Sequence, residues 1–265
     1  MNLDLDAYLA RIGFVGPRQA TAETLRALHH AHLLTVPFEN LDIHLGRPIV
    51  MDEARFVDKI VRQRRGGFCY ELNGAFAWLL TGLGFTVTLL SARVIGDDGT
   101  PGPEFDHLAL RVDLAEPWLA DVGFGDSFRQ PLRLAAGLAQ NQAFGAYRLQ
   151  TQGEGWLLEE RAETGAWAPS YHFTLQPRRL SEFAAMCHFH QTAPESPFTR
   201  ATICSLATAS GRITLHDRRL IISARADDPS RAADSVRTER TLQSSDEVQA
   251  VLHQRFGLFP EAFDR

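Results

Sequence analysis

Cysteine is scarce in this chain and lysine nearly absent. Cys69, Cys187 and Cys204 are the only cysteines in 265 residues. An odd number without paired spacing supports neither a disulfide framework nor a zinc ribbon, and it leaves at least one thiol for chemistry. Lys59 is the single lysine among many arginines, a bias from which no function is drawn. Charge of one sign is not concentrated anywhere: 27 Lys+Arg against 32 Asp+Glu give a net charge of -5 without long runs, so no basic stripe invites nucleic acid. No apolar run approaches the roughly 20 residues that span a bilayer. The start, MNLDLDAYLA, is acidic and lacks the basic and apolar regions of a secretory signal. The expectation is a cytoplasmic protein with neither nucleic-acid nor membrane partners. What the chain does have is 45% hydrophobic residues, enough at this length to bury a substantial core.

The first third reads as helices. Leu5, Tyr8, Leu9 and Ile12 share one helical face ending at Gly13, and a second helix runs from about Ala22 to Leu34 before Pro37. A third starts at Asp52, gathers Arg62, Arg64 and Arg65 in its last turn, and is expected to halt at Gly66-Gly67. A fourth begins near Cys69, keeps the helical period through Leu72, Phe76, Leu79, Leu80 and Leu83, and stops at Gly84.

From Phe85 the pattern becomes β-rich. FTVTLLSARVI, HLALRVDL, PWLADVGF, AYRLQ and GWLLEE are separated by turn-forming residues, which predicts an antiparallel sheet or small barrel. A helical piece around Leu180 to His190 follows. ATICSLAT and RITLHDRRLIISA then flank a hairpin at Ala209-Ser210-Gly211. A last helix starts with the capping box of Ser244 and Glu247, buries Val248, Val251, Leu252 and Phe256, and stops at Gly257. The expected class is α+β in three coupled units: helices over 1–84, a β-barrel over 85–193 and an α/β lid over 194–265.

The informative segment is RRGGFCYELN, residues 64–73. A cysteine directly after two glycines and at a helix start meets unpaired backbone N–H groups and the positive end of the helix dipole, which favour a thiolate. Position alone fits a small buried core residue equally well. A thiol nucleophile needs an imidazole to take its proton and a third group to orient that imidazole. His107 opens the apolar run HLALRV, and Asp121 lies in WLADVGFG, where an aspartate is costly unless paired. Each also fits a plain structural role, a satisfied core histidine or a strand-end carboxylate.

VPFENLD (36–42), RGGFCYELN (65–73), DHLAL (106–110), DVGFG (121–125) and QTAPESPF (191–198), with FGL at 256–258, together resemble the arylamine N-acetyltransferase family in content and order. The resemblance implies a helical bundle, an antiparallel β-barrel and an α/β lid around a cysteine-protease or transglutaminase-like core. It implies a triad of Cys69, His107 and Asp121, an ion pair of Glu39 with Arg65 bracing the site, and an acceptor pocket lined by Phe38, Val94, Phe124 and Phe198. It further implies that acetyl-CoA is the acyl donor and arylamines, arylhydrazines or N-hydroxyarylamines the acceptors, with no permanently bound cofactor and no metal. Cys187, His188 and His190 are too closely spaced for a ligand set and read as structural. His190 stands where many bacterial members carry a small polar residue. An amide synthase joining an aromatic amine to a polyketide chain, or a thiol hydrolase, would use the same triad.

Overall fold

The computed structural model describes residues 4–162, 164–224 and 236–259. Three residues of the acidic start and the last six of the C-terminal unit lie outside them. Helix α1 (Leu5–Arg11) is capped by Asp4, whose carboxylate accepts the Asp6 amide at 2.8 Å, and α2 (Ala22–Thr35) by Thr21. A two-residue strand β1 (Phe38–Glu39) and a short helix α3 (Leu41–His44) precede α4 (Glu53–Val57), which is capped by Asp52. Here the chain departs from the expected helix. A π-turn over Asp58–Arg62 follows α4, and Arg64 adopts φ 53°, so Arg64 and Arg65 lie in a connection rather than in a last helical turn. The Arg65 amide donates to the Lys59 carbonyl at 3.0 Å, closing this tight reversal. Helix α5 (Cys69–Gly82) then starts at the cysteine as the sequence predicts, and Gly84 follows it at φ 88°.

Strands β2 (Thr86–Val94), β3 (His107–Asp113), β4 (Pro117–Ala120), β5 (Leu132–Arg133), β6 (Gln140–Gln142), β7 (Gly145–Gln152), β8 (Gly155–Arg161) and β9 (Trp167–Phe173) form one antiparallel sheet in the order β5-β4-β3-β2-β9-β8-β7-β6. Its two ends nearly meet. The Gln140 side chain accepts the Arg133 amide at 2.8 Å and donates to the Arg133 carbonyl at 3.1 Å, so the sheet is almost a closed barrel. Strand β9 has no counterpart among the predicted strands. It carries Pro169, which cannot donate to a ladder, and the pairing with β8 shifts register between Leu158 and Glu159 to accommodate it.

A 3₁₀ turn (Leu180–Phe183), α6 (Ala184–Thr192) and α7 (Pro197–Arg200) lead to β10 (Ile203–Ala207), β11 (Gly211–His216), β12 (Arg219–Ala224), β13 (Val236–Thr241) and α8 (Ser245–Phe256). RITLHDRRLIISA is two strands, broken at Asp217 with φ 50°. The second sheet runs β1-β10-β11-β12-β13. Its β1 comes from the helical third of the chain, so PFEN is a junction: Phe38 pairs with Ser205, and Asn40 accepts the Ile203 amide at 2.7 Å while donating to the Ala201 carbonyl at 2.8 Å.

Three apolar clusters fill the molecule. One unites the helices with the outer face of the barrel through Leu108, Leu110 and Val112 of β3. A second, inside the barrel, holds Ala109, Tyr171 and Phe173. The third packs Val248, Leu252 and Phe256 of α8 on Cys204 and Leu215. Because β3 is buried on both faces, alternate residues serve different clusters, and the end of β3 at His107 lies where the first two clusters meet.

Candidate active site

The site begins with two glycines that nothing larger could replace. A Cβ on Gly66 would strike the Pro37 carbonyl oxygen, and one on Gly67 would stand 2.6 Å from Glu71 Oε2. The chain thereby passes against β1 and delivers Phe68 to the start of α5. Glu71 Oε2 accepts the Phe68 amide at 3.1 Å, half of a capping box whose other half Phe68 cannot supply. Cys69 follows in the first turn and is 4% exposed. Burial pushes its thiol well above the ordinary cysteine range, and the Leu108 backbone hydrogen bond opposes that only in part. The backbone N–H groups at the helix start work against that burial, and an imidazolium beside the thiol would favour the thiolate further.

His107 heads β3 and Asp121 sits one residue past β4, outside the ladder rather than on a strand. His107 Nε2 and Asp121 Oδ2 are 2.7 Å apart, which leaves Nδ1 as the basic ring nitrogen. The carboxylate has three further donors: Tyr171 Oη to the same oxygen at 3.1 Å, Asn73 Nδ2 to Oδ1 at 2.8 Å, and the Gly123 amide to Oδ1 at 2.9 Å. Burial alone would raise its pKa, but the His107 ring together with Asn73 and the Gly123 amide leaves it lowered, so Asp121 is held ionised.

Three of the supporting residues were not singled out from sequence. Asn73 also donates to the Leu108 carbonyl at 2.6 Å and accepts the Val122 amide at 2.9 Å, tying α5 to β3 and to the loop after β4. Its signal was a polar residue four positions after Cys69 on an otherwise apolar helix face. Tyr171 lies on the unanticipated β9. His29 of α2 grips the Asp121 peptide, with Nε2 3.2 Å from its nitrogen and 2.9 Å from its oxygen, and Nδ1 3.1 Å from the Arg129 carbonyl. Burial depresses the His29 pKa to about 4, so the ring stays neutral.

Cys69 and His107 open onto one cavity of about 420 Å³. Phe38, Val94, Phe124 and Phe198 all line it, with Phe124 edge-on to His107 at 5.2 Å. The floor is Gly123, where a Cβ would stand 2.8 Å from Cys69 Cα and 2.7 Å from Asn73 Nδ2. Only glycine lets this loop rest on the Cys69 backbone. Asp106 and His190 face the same cavity.

Glu39 and Arg65 pair as expected, at 2.8 Å, but behind the cavity and within a larger buried cluster. Arg65 also reaches Asp42 at 3.0 Å, and Lys59 Nζ lies 2.7 Å from both Asp42 and Glu71. Burial alone would depress the Lys59 amine, yet the surrounding carboxylates hold it firmly protonated. Glu71 moves the other way: burial pushes it up to about 7 despite Lys59. Cys187, His188 and His190 do not converge. Cys187 packs against Gln191 and the Ile49 carbonyl, His188 is exposed, and His190 turns into the cavity. No helix among the described residues is long and apolar enough to cross a membrane.

The N-acetyltransferase family model matches residues 21–262. The arylamine N-acetyltransferase of Mycolicibacterium smegmatis is 35% identical over 97% of this chain and 93% of its own length, and that of Escherichia coli K12 is 37% identical over 80% and 76%. Among solved structures, the Mycobacterium marinum arylamine N-acetyltransferase in complex with CoA superposes with a TM-score of 0.86 at 32% identity, covering 96% of this chain and 93% of that one. The Salmonella typhimurium enzyme gives 0.87 at 34%, covering 96% and 90%. With the five sequence motifs gathered around one cysteine-lined cavity and matches of this extent, the chain belongs to the arylamine N-acetyltransferase family.

Proposed function

We propose that this protein is an acetyltransferase that moves the acetyl group of acetyl-CoA to an arylamine through an acetyl-Cys69 intermediate. The observation that supports it most is the shared cavity: a buried thiol, a histidine whose Nε2 is fixed at 2.7 Å by an ionised aspartate, and apolar aromatic walls. In the first half-reaction His107 Nδ1 takes the Cys69 proton and the thiolate attacks the thioester carbonyl; the CoA thiolate leaves and is protonated by the imidazolium. The amine nitrogen then attacks acetyl-Cys69 and gives its proton to His107, and the Cys69 thiolate departs. Asp121 fixes the histidine tautomer and stabilises the imidazolium, and Asn73, Tyr171 and His29 hold Asp121. The Cys69 amide in the first turn of α5 offers one donor to the tetrahedral oxyanion. The aromatic walls suit a flat aryl group, and arylhydrazines and N-hydroxyarylamines would enter by the same route. A reducing cytoplasm keeps the thiol available.

Acetyl-CoA without amine should add one acetyl group at Cys69, read by intact mass and peptide mapping. Steady-state rates with both substrates should give parallel double-reciprocal lines. An unmodified protein, acetyl on Cys187 or Cys204, or intersecting lines would overturn the assignment.

A further inference from the structure

Apart from Cys69 and His107, the ionisable groups lining the cavity are Asp106 and His190. They come from different parts of the fold, the approach to β3 and helix α6. Asp106 Oδ2 accepts the Val94 amide at 3.3 Å, while Oδ1 stands 3.2 Å from His190 Nε2. The His190 side chain is only 4% exposed. Its Nδ1 is 3.2 Å from Ser196 Oγ, and its ring packs edge-on to Phe198 at 5.1 Å, which fixes its orientation. Nε2 nevertheless makes no directed hydrogen bond among the described residues: its separation from Asp106 is short enough but the angle is not. A buried polar atom without a directed partner is uncommon and calls for a reason.

Resting on the acyl-transfer reading, we propose that Asp106 and His190 form a polar subsite in the acceptor pocket that selects aryl acceptors carrying an O–H or N–H group besides the nucleophilic amine. Phe38, Val94, Phe124 and Phe198 give the pocket affinity for any aromatic ring but no means to distinguish ring substituents by polarity. The carboxylate supplies that means. In either tautomer of His190, Asp106 remains an acceptor, so a donor on the acceptor ring completes its bonding. A hydroxyl or amino group can also engage Nε2, accepting from it in one tautomer and donating to it in the other. A substituent that only accepts leaves Asp106 Oδ1 without a donor, and one bearing negative charge is repelled by it.

The test compares 4-aminophenol with 4-methoxyaniline. Their amines are similarly activated by a para oxygen, and the methoxy oxygen has no proton to donate. In a ping-pong cycle kcat/KM for the acceptor reports only the second half-reaction, so the ratio of the two values is independent of how fast Cys69 is acetylated. The native protein should favour 4-aminophenol on the order of tenfold or more, as expected for a hydrogen bond to a charged group. Asp106→Ala should bring the ratio near unity, and His190→Leu should lower it. Asp106→Asn, which keeps the size and one acceptor oxygen, should fall between native and Asp106→Ala. A native ratio near unity, or a high ratio unchanged in all three variants, overturns the subsite. Failure of acetyl-CoA to load Cys69 would instead overturn the underlying reaction, so the two failures are distinguishable.

Discussion

Two buried polar clusters reach helix α5 from different sides, one through Glu71 and the other through Asn73. The Glu71 side gathers two cations, Lys59 and Arg65, against three carboxylates, Glu39, Asp42 and Glu71. The Asn73 side has a single carboxylate, Asp121, surrounded by the neutral donors Asn73, Tyr171 and a backbone amide, with the His107 imidazole against its Oδ2. The first arrangement ties the π-turn to β1 and α3 through ion pairs. The second sets one imidazole against a carboxylate that otherwise meets only neutral donors. A brace and a proton-handling site both need buried carboxylates, and the partners decide which one results.

Asp121→Asn should give the largest effect, and on activity rather than fold. The amide can keep the bond from Tyr171 but cannot support an imidazolium, so acetyl transfer should fall by up to about 10⁴-fold, the loss seen for the same change in a serine triad. Thermal unfolding measured alongside guards against misfolding. Alkylation of Cys69 should shift to higher pH, since burial already raises the thiol. A variant that kept both its rate and its alkylation profile would erase the distinction between the clusters.

Arg65→Met should act the other way, on stability first. It leaves Glu39 and Asp42 short of a buried cation, at a cost of about 3–5 kcal/mol. Chemical denaturation at neutral pH reads this. A loss under about 1 kcal/mol, within the range of exposed ion pairs, would show the cluster to be no brace.

The smallest effect is the sharpest in sign. Glu71 titrates near 4.5 when unperturbed and is pushed up to about 7 in the fold, so between these values the native protein holds a proton that the unfolded chain has lost. Its contribution to stability is full below about 4.5, falls as pH rises, and is constant above 7. Asp121 is lowered, so its contribution is present above its ordinary value of 3.8 and is lost as pH falls through the folded pKa. Denaturation curves from pH 3 to 8 should therefore carry opposite contributions from the two sites, and Glu71→Gln should remove the falling one between about 4.5 and 7, leaving the rise that His29, depressed to about 4, contributes below about 6.5. A variant curve parallel to the native one would exclude Glu71 as its source.

Much of this was legible from residues alone where the information was local. The span of α5, the break at Gly84 and the β2 and β3 runs follow from periodicity and glycine. Strand β13 was not legible because VRTERT is an exposed, polar edge with no apolar alternation, and β9 was hidden by Pro169. The π-turn has no compositional signature, so Arg64 and Arg65 read as helix. At the site, His107 and Asp121 stood out by their neighbours, and the wall residues followed from the family resemblance. The support of Asp121 did not stand out. His29 lies 92 positions and Tyr171 50 positions from it, and only the folded barrel brings them together.

Lys59 is the only lysine in the chain and it is 6% exposed, bound on the far side of α5 from the thiol. An enzyme that handles an activated acyl group thus presents no accessible lysine amine of its own to it. Apart from the α-amino group and the imidazoles, whose acyl adducts are labile in water, sulfur and oxygen nucleophiles are all that the protein offers. Acetyl incorporated per mole can then be read as occupancy of the cycle, uncorrected for stray lysine acylation, and amine-directed coupling chemistry would leave the folded body of the molecule untouched.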